Sequence, residues 1–229
     1  MQPYLFPYIG YFQLMNAVDE FIIYDNIQFT KKGWINRNRI LVNGVDTYIT
    51  LPLKKDSDYL NIKDRFLSDD WSIERKKILN RITESYRKAP QFNFVYPILE
   101  SILMYEERNL FAFIFNSLKE INLYLNIKTP LIISSSVPIN HDLKSVNKVI
   151  EICKARKATT YINPIGGVEL YNKKDFNNEG LELQFLKANN ITYPQFKNDF
   201  VPFLSIIDVM MFNSLEDIKL IINKEYNLI

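Results

Sequence analysis

Short apolar runs alternate along this chain with longer segments that have helical periodicity. The runs typical of buried strands cover residues 21–26, 128–134, 158–164 and 180–186. The segments with helical spacing cover residues 8–18, 71–86, 95–126, 145–157 and 214–226. Strands separated by helices favour crossover connections, because a parallel neighbour can be reached only across the face of the sheet. The pattern therefore predicts an α/β fold with a mainly parallel sheet and crossover helices.

Residues 39–53 depart from this alternation and predict one β-hairpin. Two β-rich runs flank Asn43-Gly44, a dipeptide that readily adopts the positive φ angles of a tight hairpin turn. The long helical middle segment, about residues 70–126, predicts a helical subdomain inserted in the sheet or packed on it. No linker or internal repeat interrupts the chain, so residues 1–229 are expected to form a single domain.

The composition of the 229 residues is typical of a globular protein and argues against several classes of function. Hydrophobic residues make up 47% of the chain and charged residues 24%. The charges of the 28 basic and 26 acidic residues nearly cancel, so the net charge is not expected to create a positive potential that attracts nucleic acid strongly. No apolar run reaches the length of a membrane span, which predicts no membrane association and a cytoplasmic location.

A single cysteine and a single histidine restrict the chemistry further. Cys153 lies at helical spacing from Val149 and Ile150, which favours an inert core position. His141 lies in a polar stretch typical of a loop before a helix. A histidine-based metal cluster cannot be assembled, and the GxSxG and HExxH patterns of hydrolases are absent. We therefore expect no metal and no cofactor.

The first forty residues carry most of the side chains that a ligand site needs. Pro3 and Pro7 stiffen the backbone, and Gly10 allows a turn or a close approach. Four cations surround Trp34 within residues 31–39. Arginine donors suit phosphate or carboxylate, and a tryptophan ring stacks on a base, a sugar or a cation. A solvated basic turn with Trp34 covering the core explains the same residues, although the neighbouring proline-rich loop favours an anionic ligand.

Polar or small residues follow three of the predicted strands. Asp25 ends the first strand just before Gln28, Ser134–Ser136 follow the second, and Gly166-Gly167 follow the third. In α/β sheets, ligands gather at the carboxyl ends of the strands. Asp25 is therefore a candidate base, with a turn-capping role as the alternative. Simple turns are the plainer explanation of the serines and glycines.

Asp208 is unusual because apolar residues surround it within the stretch 206–210. A carboxylate is costly to bury unless it has a partner. We therefore expect Asp208 to pair with Arg37 or Arg39.

The chain resembles the WbqC-like protein family over almost its whole length. The matching pieces follow one another in the family's order and are QPYLFPYIGYFQL, FIIYDNIQF, GWINRNRIL, YRKAP at 86–90, ISSS, YINPIGG with Tyr171, and YPQ followed by FVPFLSIIDVMMFN. Several separate motifs in the right order make the resemblance specific.

This resemblance implies a bacterial protein of surface-polysaccharide precursor biosynthesis, such as O-antigen synthesis, with acyl or aminoacyl transfer to a nucleotide-linked amino sugar as a candidate reaction. It also implies a short apolar strand ahead of Gln2, which this sequence lacks. The native start could therefore lie upstream of Met1, and the positions of Gln2 and Tyr4 relative to a ligand are left open. The layout of the proline-rich loop is similar to the HxGH loop of nucleotidyl-transferring enzymes. Tyr8 and Tyr11 stand where that loop has its histidines. Without the histidines, adenylate chemistry is a less favoured function than binding and group transfer.

The first hypothesis is a transferase whose ligand is a nucleotide-sugar or another phosphorylated small molecule. Asp25 would act as the base, Arg37 would hold the diphosphate, and Trp34 or a tyrosine would stack on the base or sugar. The expected substrate-binding residues are Gln2, Tyr4, Tyr11, Gln28, Trp34, Asn36, Arg37, Ser135, Tyr171 and Gln195.

Two further hypotheses need no catalysis. The second is a binding or scaffolding protein that forms a complex with other polysaccharide-pathway enzymes. The third is a nucleic-acid or aminoacyl-tRNA partner that uses residues 31–39, and the near-zero net charge makes it the least favoured.

Overall fold

The computed structural model describes residues 1–229 as eight α-helices and seven short strands. The helices are α1 (Ile9–Asn16), α2 (Trp71–Tyr86), α3 (Phe92–Met104), α4 (Leu110–Leu125), α5 (Ser145–Ala155), α6 (Lys173–Asn177), α7 (Ile206–Phe212) and α8 (Leu215–Lys224). The strands are β1 (Phe21–Ile23), β2 (Arg37–Val42), β3 (Val45–Thr50), β4 (Leu131–Ile133), β5 (Thr160–Pro164), β6 (Glu182–Ala188) and β7 (Tyr226–Leu228). The predicted α/β class is confirmed.

The strands lie in three small sheets rather than in one. β1 and β4 pair in parallel, as do β5 and β6, and β7 lies antiparallel on the other side of β6. The β2–β3 hairpin is the third sheet. The predicted mainly parallel sheet is thus only partly confirmed, because both parallel pairs are present but belong to separate sheets.

A cleft of about 390 Å³ separates the two parallel pairs. β1 and β5 line it, together with residues of α1 and α5 such as Leu14 and Cys153. Met1 lines part of the cleft, where its amino group donates to the carbonyl of Ile22 at 2.6 Å and its carbonyl accepts from the N–H of Tyr24 at 2.8 Å. This is the pattern of a parallel strand neighbour, so Met1 pairs with β1 as a strand of one residue. β1 and β5 both line the cleft and do not pair with each other, so the two parallel pairs stay in separate sheets.

The predicted hairpin is confirmed. β2 and β3 pair from Arg37 opposite Thr50 to Val42 opposite Val45. Asn43 and Gly44 have φ angles of 51° and 79°, as a two-residue turn with positive φ at both central positions requires.

Two apolar cores stabilise the fold. The larger has 44 buried residues and includes side chains of α1, β2, α2, α3, α4, α7 and α8. The predicted helical middle is helices α2, α3 and α4. The smaller core has seven buried residues around Phe176 of α6, between α5 and β6. The single-domain organisation stays a prediction. None of the helices combines the length and the apolar character that crossing a bilayer requires.

In a protein that starts at Met1, the buried amino group of this residue makes the stability of the fold depend on pH. Burial lowers the pKa of this amine from 8.0 to about 5. Between these two values the unfolded chain binds a proton that the folded chain does not bind. The free energy of unfolding should therefore rise with pH across this window, by on the order of 4 kcal/mol, and urea titrations at successive pH values measure the rise.

Acetylation of the N-terminus provides the matched control. The acetylated nitrogen keeps an N–H that can donate to the carbonyl of Ile22, but it has no charge to bury. The extra slope between pH 5 and pH 8 should then be lost. Equal slopes for the free and acetylated proteins would contradict this account.

Candidate functional site

The carboxyl ends of β1 and β4 bring together polar residues from three parts of the chain. Asp25 and Asn26 follow β1 after one residue, Tyr24, and the 3₁₀ turn Ser134–Ser136 comes directly after β4. Because the two strands are parallel, these segments meet at the same edge. The turn before α5 and α5 itself add His141 and Lys148. The carboxyl-edge site, as we name it, consists of Asp25, Asn26, Ser134, Ser135, His141 and Lys148.

The carboxylate of Asp25 is buried and held in one orientation. Its Oδ1 accepts a hydrogen bond from the backbone N–H of Ser135 at 3.0 Å and lies 3.2 Å from the hydroxyl of Ser134. Oδ2 accepts no hydrogen bond from the protein, which leaves this oxygen to accept a proton or a hydrogen bond from a ligand. Sequence analysis placed both Asp25 and Ser135 in the site, and the structure brings the two into contact.

Asn26 connects this edge to His141. The Nδ2 of Asn26 lies 3.0 Å from Nδ1 of His141, and its Oδ1 lies 2.6 Å from the hydroxyl of Ser134. The Nε2 of His141 lies 3.0 Å from the carbonyl of Val137, which can only accept, so the imidazole proton is on Nε2. Both ring nitrogens are therefore engaged within the protein, and His141 acts to hold the turn in place.

Lys148 supplies the positive charge of the carboxyl-edge site, although it is only 7% exposed. Its ammonium donates to the carbonyl of His141 at 3.3 Å and lies 5.8 Å from the centre of the Tyr24 ring. Burial lowers the pKa of Lys148, and nearby carboxylates, Asp25 foremost, oppose that shift. A buried ammonium with two unused N–H donors is suited to hold an anion.

Sequence analysis missed Lys148. The available signal is its i to i+4 spacing from Ile152, which places the lysine on the buried side of α5. The same kind of helical spacing, from Val149 and Ile150, was used to assign Cys153 to the core, and it assigns Lys148 to the buried side in the same way.

Tyrosines line the neighbouring region between α5 and β5. The ring of Tyr161 lies 5.8 Å from the ring of Tyr171 and 5.4 Å from the ring of Phe176. Burial raises the pKa of Tyr24 and raises the pKa of the Cys153 thiol to about 11. The thiol therefore stays protonated at neutral pH, as an inert core residue does.

The sequence model of the WbqC-like protein family matches residues 2–220, which include every residue of the carboxyl-edge site. The chain belongs to the WbqC-like protein family. It is 28% identical over 208 residues to "Uncharacterized protein Rv1507c" of Mycobacterium tuberculosis (strain ATCC 25618 / H37Rv), and the match covers 89% of this chain and 88% of that protein. No solved structure matches the chain.

The N-terminal motif of this WbqC-like chain, QPYLFPYIGYFQL, is braced by its own side chains. The hydroxyl of Tyr11 donates to the carbonyl of Gln2 at 2.9 Å, and the hydroxyl of Tyr4 lies 3.2 Å from the Oε1 of Gln2. The rings of Tyr4 and Tyr11 are 5.8 Å apart, and burial raises the pKa of both hydroxyls. The predicted ligand contacts of these three residues stay predictions.

Two other predicted binding residues are engaged within the hairpin region. Asn36 is buried and donates to the carbonyl of Leu51 at 2.8 Å. The guanidinium of Arg37 donates to the carbonyls of Gly33 and Lys32, at 3.1 Å and 2.7 Å. These bonds fix the turn before β2, and no hydrogen bond joins either residue to Asp25.

An aromatic and cationic surface covers the outer side of the hairpin. Trp34 stacks on Tyr48 at a ring separation of 6.0 Å, with Arg39 over the Trp34 ring and Arg37 over the Tyr48 ring. We name these four residues the hairpin face. Gln28, also predicted to bind substrate, is outside it and donates to the carbonyl of Asp58 at 3.0 Å.

The partners of Asp208 differ from those expected. Its Oδ1 accepts from the hydroxyl of Tyr86 at 2.8 Å, and its Oδ2 accepts from the hydroxyl of Tyr193 at 2.8 Å and from the amide of Gln195 at 2.7 Å. The expected arginine pairing is wrong, because three neutral donors already use both oxygens. Burial raises the pKa of Asp208, and the three hydrogen bonds oppose that shift. Gln195, predicted to bind substrate, is buried within this network.

Of the two glycines after β5, only Gly167 lies so close to a neighbouring side chain that a larger residue would clash. A Cβ at Gly167 would lie 2.0 Å from the Nδ2 of Asn163, whereas a Cβ at Gly166 would meet nothing within 4 Å. The predicted substrate residue Tyr171 follows this turn and packs on Tyr161. No three His, Cys, Asp or Glu side chains form a group that could hold a metal ion.

The substitution Tyr86→Phe tests the Asp208 network. It removes the donor to the Oδ1 of Asp208 and the acceptor for the backbone N–H of Leu41, which lies 2.8 Å from the Tyr86 hydroxyl. Both groups would then be buried without a partner. We expect a loss of about 2–4 kcal/mol in the free energy of unfolding, measured by urea denaturation.

Tyr96→Phe is the matched control, because its hydroxyl makes a 3.4 Å contact with Glu100 at the surface. We expect this variant to lose less than about 0.5 kcal/mol. If both variants lose the same small amount, the Asp208 network does not stabilise the fold as described.

Proposed function

We propose that this WbqC-like protein is a cytoplasmic enzyme of bacterial surface-polysaccharide precursor biosynthesis. It binds a nucleotide-linked amino sugar at the carboxyl-edge site and transfers an acyl or aminoacyl group to the sugar amine. The observation that carries this proposal is the nearly buried residue Lys148, whose ammonium is within the electrostatic influence of the fixed carboxylate of Asp25. The family resemblance supplies the pathway, and the site supplies the chemistry.

Lys148 is the residue that holds the phosphate. Its ammonium uses one N–H on the carbonyl of His141 and has two more to donate. Charge-assisted hydrogen bonds to phosphate are stronger where water is excluded, and Lys148 is nearly buried. The tyrosine ring at 5.8 Å further stabilises the cation when no ligand is bound.

Asp25 is the residue that takes the proton. An amino sugar becomes a nucleophile when its ammonium loses a proton, and the Oδ2 of Asp25 is free to accept it. The neutral nitrogen then forms the new bond to the carbonyl carbon of the donor. The bond to the donor's leaving group breaks, and that group departs with the bonding electrons and takes the second proton from the nitrogen. The N–H of Ser135 fixes the direction of the carboxylate throughout.

A second candidate function is non-catalytic docking of other polysaccharide-pathway enzymes on the hairpin face. The observation that favours it is exposure, because Trp34 is 38% exposed and Tyr48 is 43% exposed although both are large aromatic residues. Arg37 and Arg39 beside these rings match the composition of binding hot spots. Nucleic-acid binding has weaker support, since the net charge is only +2.

Lys148→Met tests the phosphate role. The substitution keeps an apolar side chain of similar length but removes the charge, so affinity for a UDP-linked amino sugar should fall by about 10- to 100-fold in calorimetry. Lys144→Met is the matched control, because Lys144 lies one turn earlier, is exposed and makes no ion pair. Equal affinities of the two variants would remove Lys148 from the site.

Asp25→Asn separates binding from catalysis. The amide keeps an oxygen that can accept the N–H of Ser135, so affinity for the UDP-linked amino sugar should change by less than about threefold. Turnover with an acyl donor should fall by about 10²- to 10⁴-fold, because the general base is lost. Unchanged turnover in Asp25→Asn would exclude Asp25 as the base.

If the unmodified protein binds no nucleotide-sugar at all, the docking function becomes the better proposal.

A further inference from the structure

A second cavity, of about 310 Å³, lies between the start of α1 and the segment that precedes α7. Four aromatic residues form its walls, namely Tyr8, Tyr193, Phe200 and Phe203, and no charged residue lines it. It shares no residue with the carboxyl-edge site.

The aromatic walls are arranged as two edge-to-face pairs. The rings of Tyr8 and Phe203 are 5.6 Å apart at 63°, and the rings of Tyr193 and Phe200 are 5.1 Å apart at 80°. Edge-to-face packing is a favoured geometry for aromatic pairs, and it fixes each ring relative to its partner. The cavity is therefore bounded by rings that support one another.

Phe203 is held at the cavity in a strained backbone conformation. Its φ angle is 58°, a left-handed value that bulky residues rarely adopt, and the residue is 57% exposed. An exposed side chain gains little from burial that would offset this strain. The Nη2 of Arg39 lies 3.3 Å from the carbonyl of Phe203 and helps to hold the conformation. The exposed ring of Phe203 forms part of the cavity wall and is available to contact a ligand.

The carboxyl group of Asp208, which lies behind the cavity wall, indicates the charge of the ligand that the cavity would bind. The hydroxyl of Tyr193 donates to the buried carboxylate of Asp208, whose other partners are also uncharged. The side chain of Asp208 forms no ion pair and lies one hydrogen bond behind the Tyr193 wall of the cavity, so in its ionised form it has no neutralising cation. Aromatic ring faces attract cations, and a nearby carboxylate strengthens that attraction.

We infer that the cavity between Tyr8 and Phe203 is an aromatic cage that binds an organic ammonium group. The rings supply the surface, and the carboxylate of Asp208 selects for positive charge. This inference does not depend on catalysis at the carboxyl-edge site.

Binding of choline and of its neutral isostere 3,3-dimethylbutan-1-ol tests the cage. The two ligands have similar shape and differ in charge, so the full-length protein should bind choline at least tenfold more tightly in calorimetry or NMR titration. Phe203→Leu and Tyr8→Leu should each weaken choline binding by at least fivefold. Thermal melting of each variant reports whether it is folded.

Phe196→Leu is the matched control. Phe196 belongs to the same segment, has a φ angle of 55° and is 40% exposed, but it packs on Phe212 at 4.8 Å and does not line the cavity. Its substitution should leave choline affinity within twofold of the unmodified protein. Equal binding of the two ligands, absence of choline binding, or equal losses for Phe196→Leu and Phe203→Leu would each overturn the inference.

Discussion

The hydrogen-bond network of Asp208 is the interaction on which much of the structure depends. Its carboxylate lies in the first turn of α7 and joins that helix to Tyr86 at the end of α2 and to Tyr193 and Gln195 in the segment before α7. Tyr86 in turn accepts a backbone N–H of β2, and Gln195 bonds both the N–H and the carbonyl of Val201. A buried carboxylate without a cation is tolerable only when such donors compensate for lost water, aided by the helix N-terminus. One carboxyl group therefore fixes four parts of the chain, including a wall of the aromatic cavity.

Two buried carboxylates in this chain have opposite characters, and the difference lies in what their oxygens contact. Both oxygens of Asp208 are used by neutral donors within the protein, so this residue holds structure together. Asp25 has one oxygen fixed by Ser135 and one without a protein partner, and the ammonium of Lys148 is close enough to influence charge there. A carboxylate that is oriented but not saturated can accept a proton, which a saturated one can do only by giving up bonds.

Local signals predicted part of this structure, and distant contacts decided the rest. Asn43-Gly44 encodes its turn directly in backbone preferences, and Asp25 and Ser135 meet because both follow parallel strands. Lys148 was missed, although its helical position put it on the buried side of α5. The partners of Asp208 could not be predicted, because Tyr86 is 122 residues away and charge alone suggested arginine. The divided sheet was equally inaccessible, since strands of three residues carry little information about their neighbours.

Arg39 physically connects the hairpin face to the aromatic cavity. Its guanidinium pairs with Asp46 at 2.8 Å, lies 5.4 Å from the centre of the Trp34 ring and reaches the carbonyl of Phe203, while its own carbonyl accepts the N–H of Ser205. A partner that moves Arg39 off the Trp34 ring also weakens the contact that supports the strained backbone at Phe203. Conversely, a ligand that orders Phe203 stabilises the position of Arg39 on the hairpin. If the hairpin face docks a partner and the cavity binds a ligand, both events involve Arg39, and a change in its position is the physical route by which one would alter the affinity of the other.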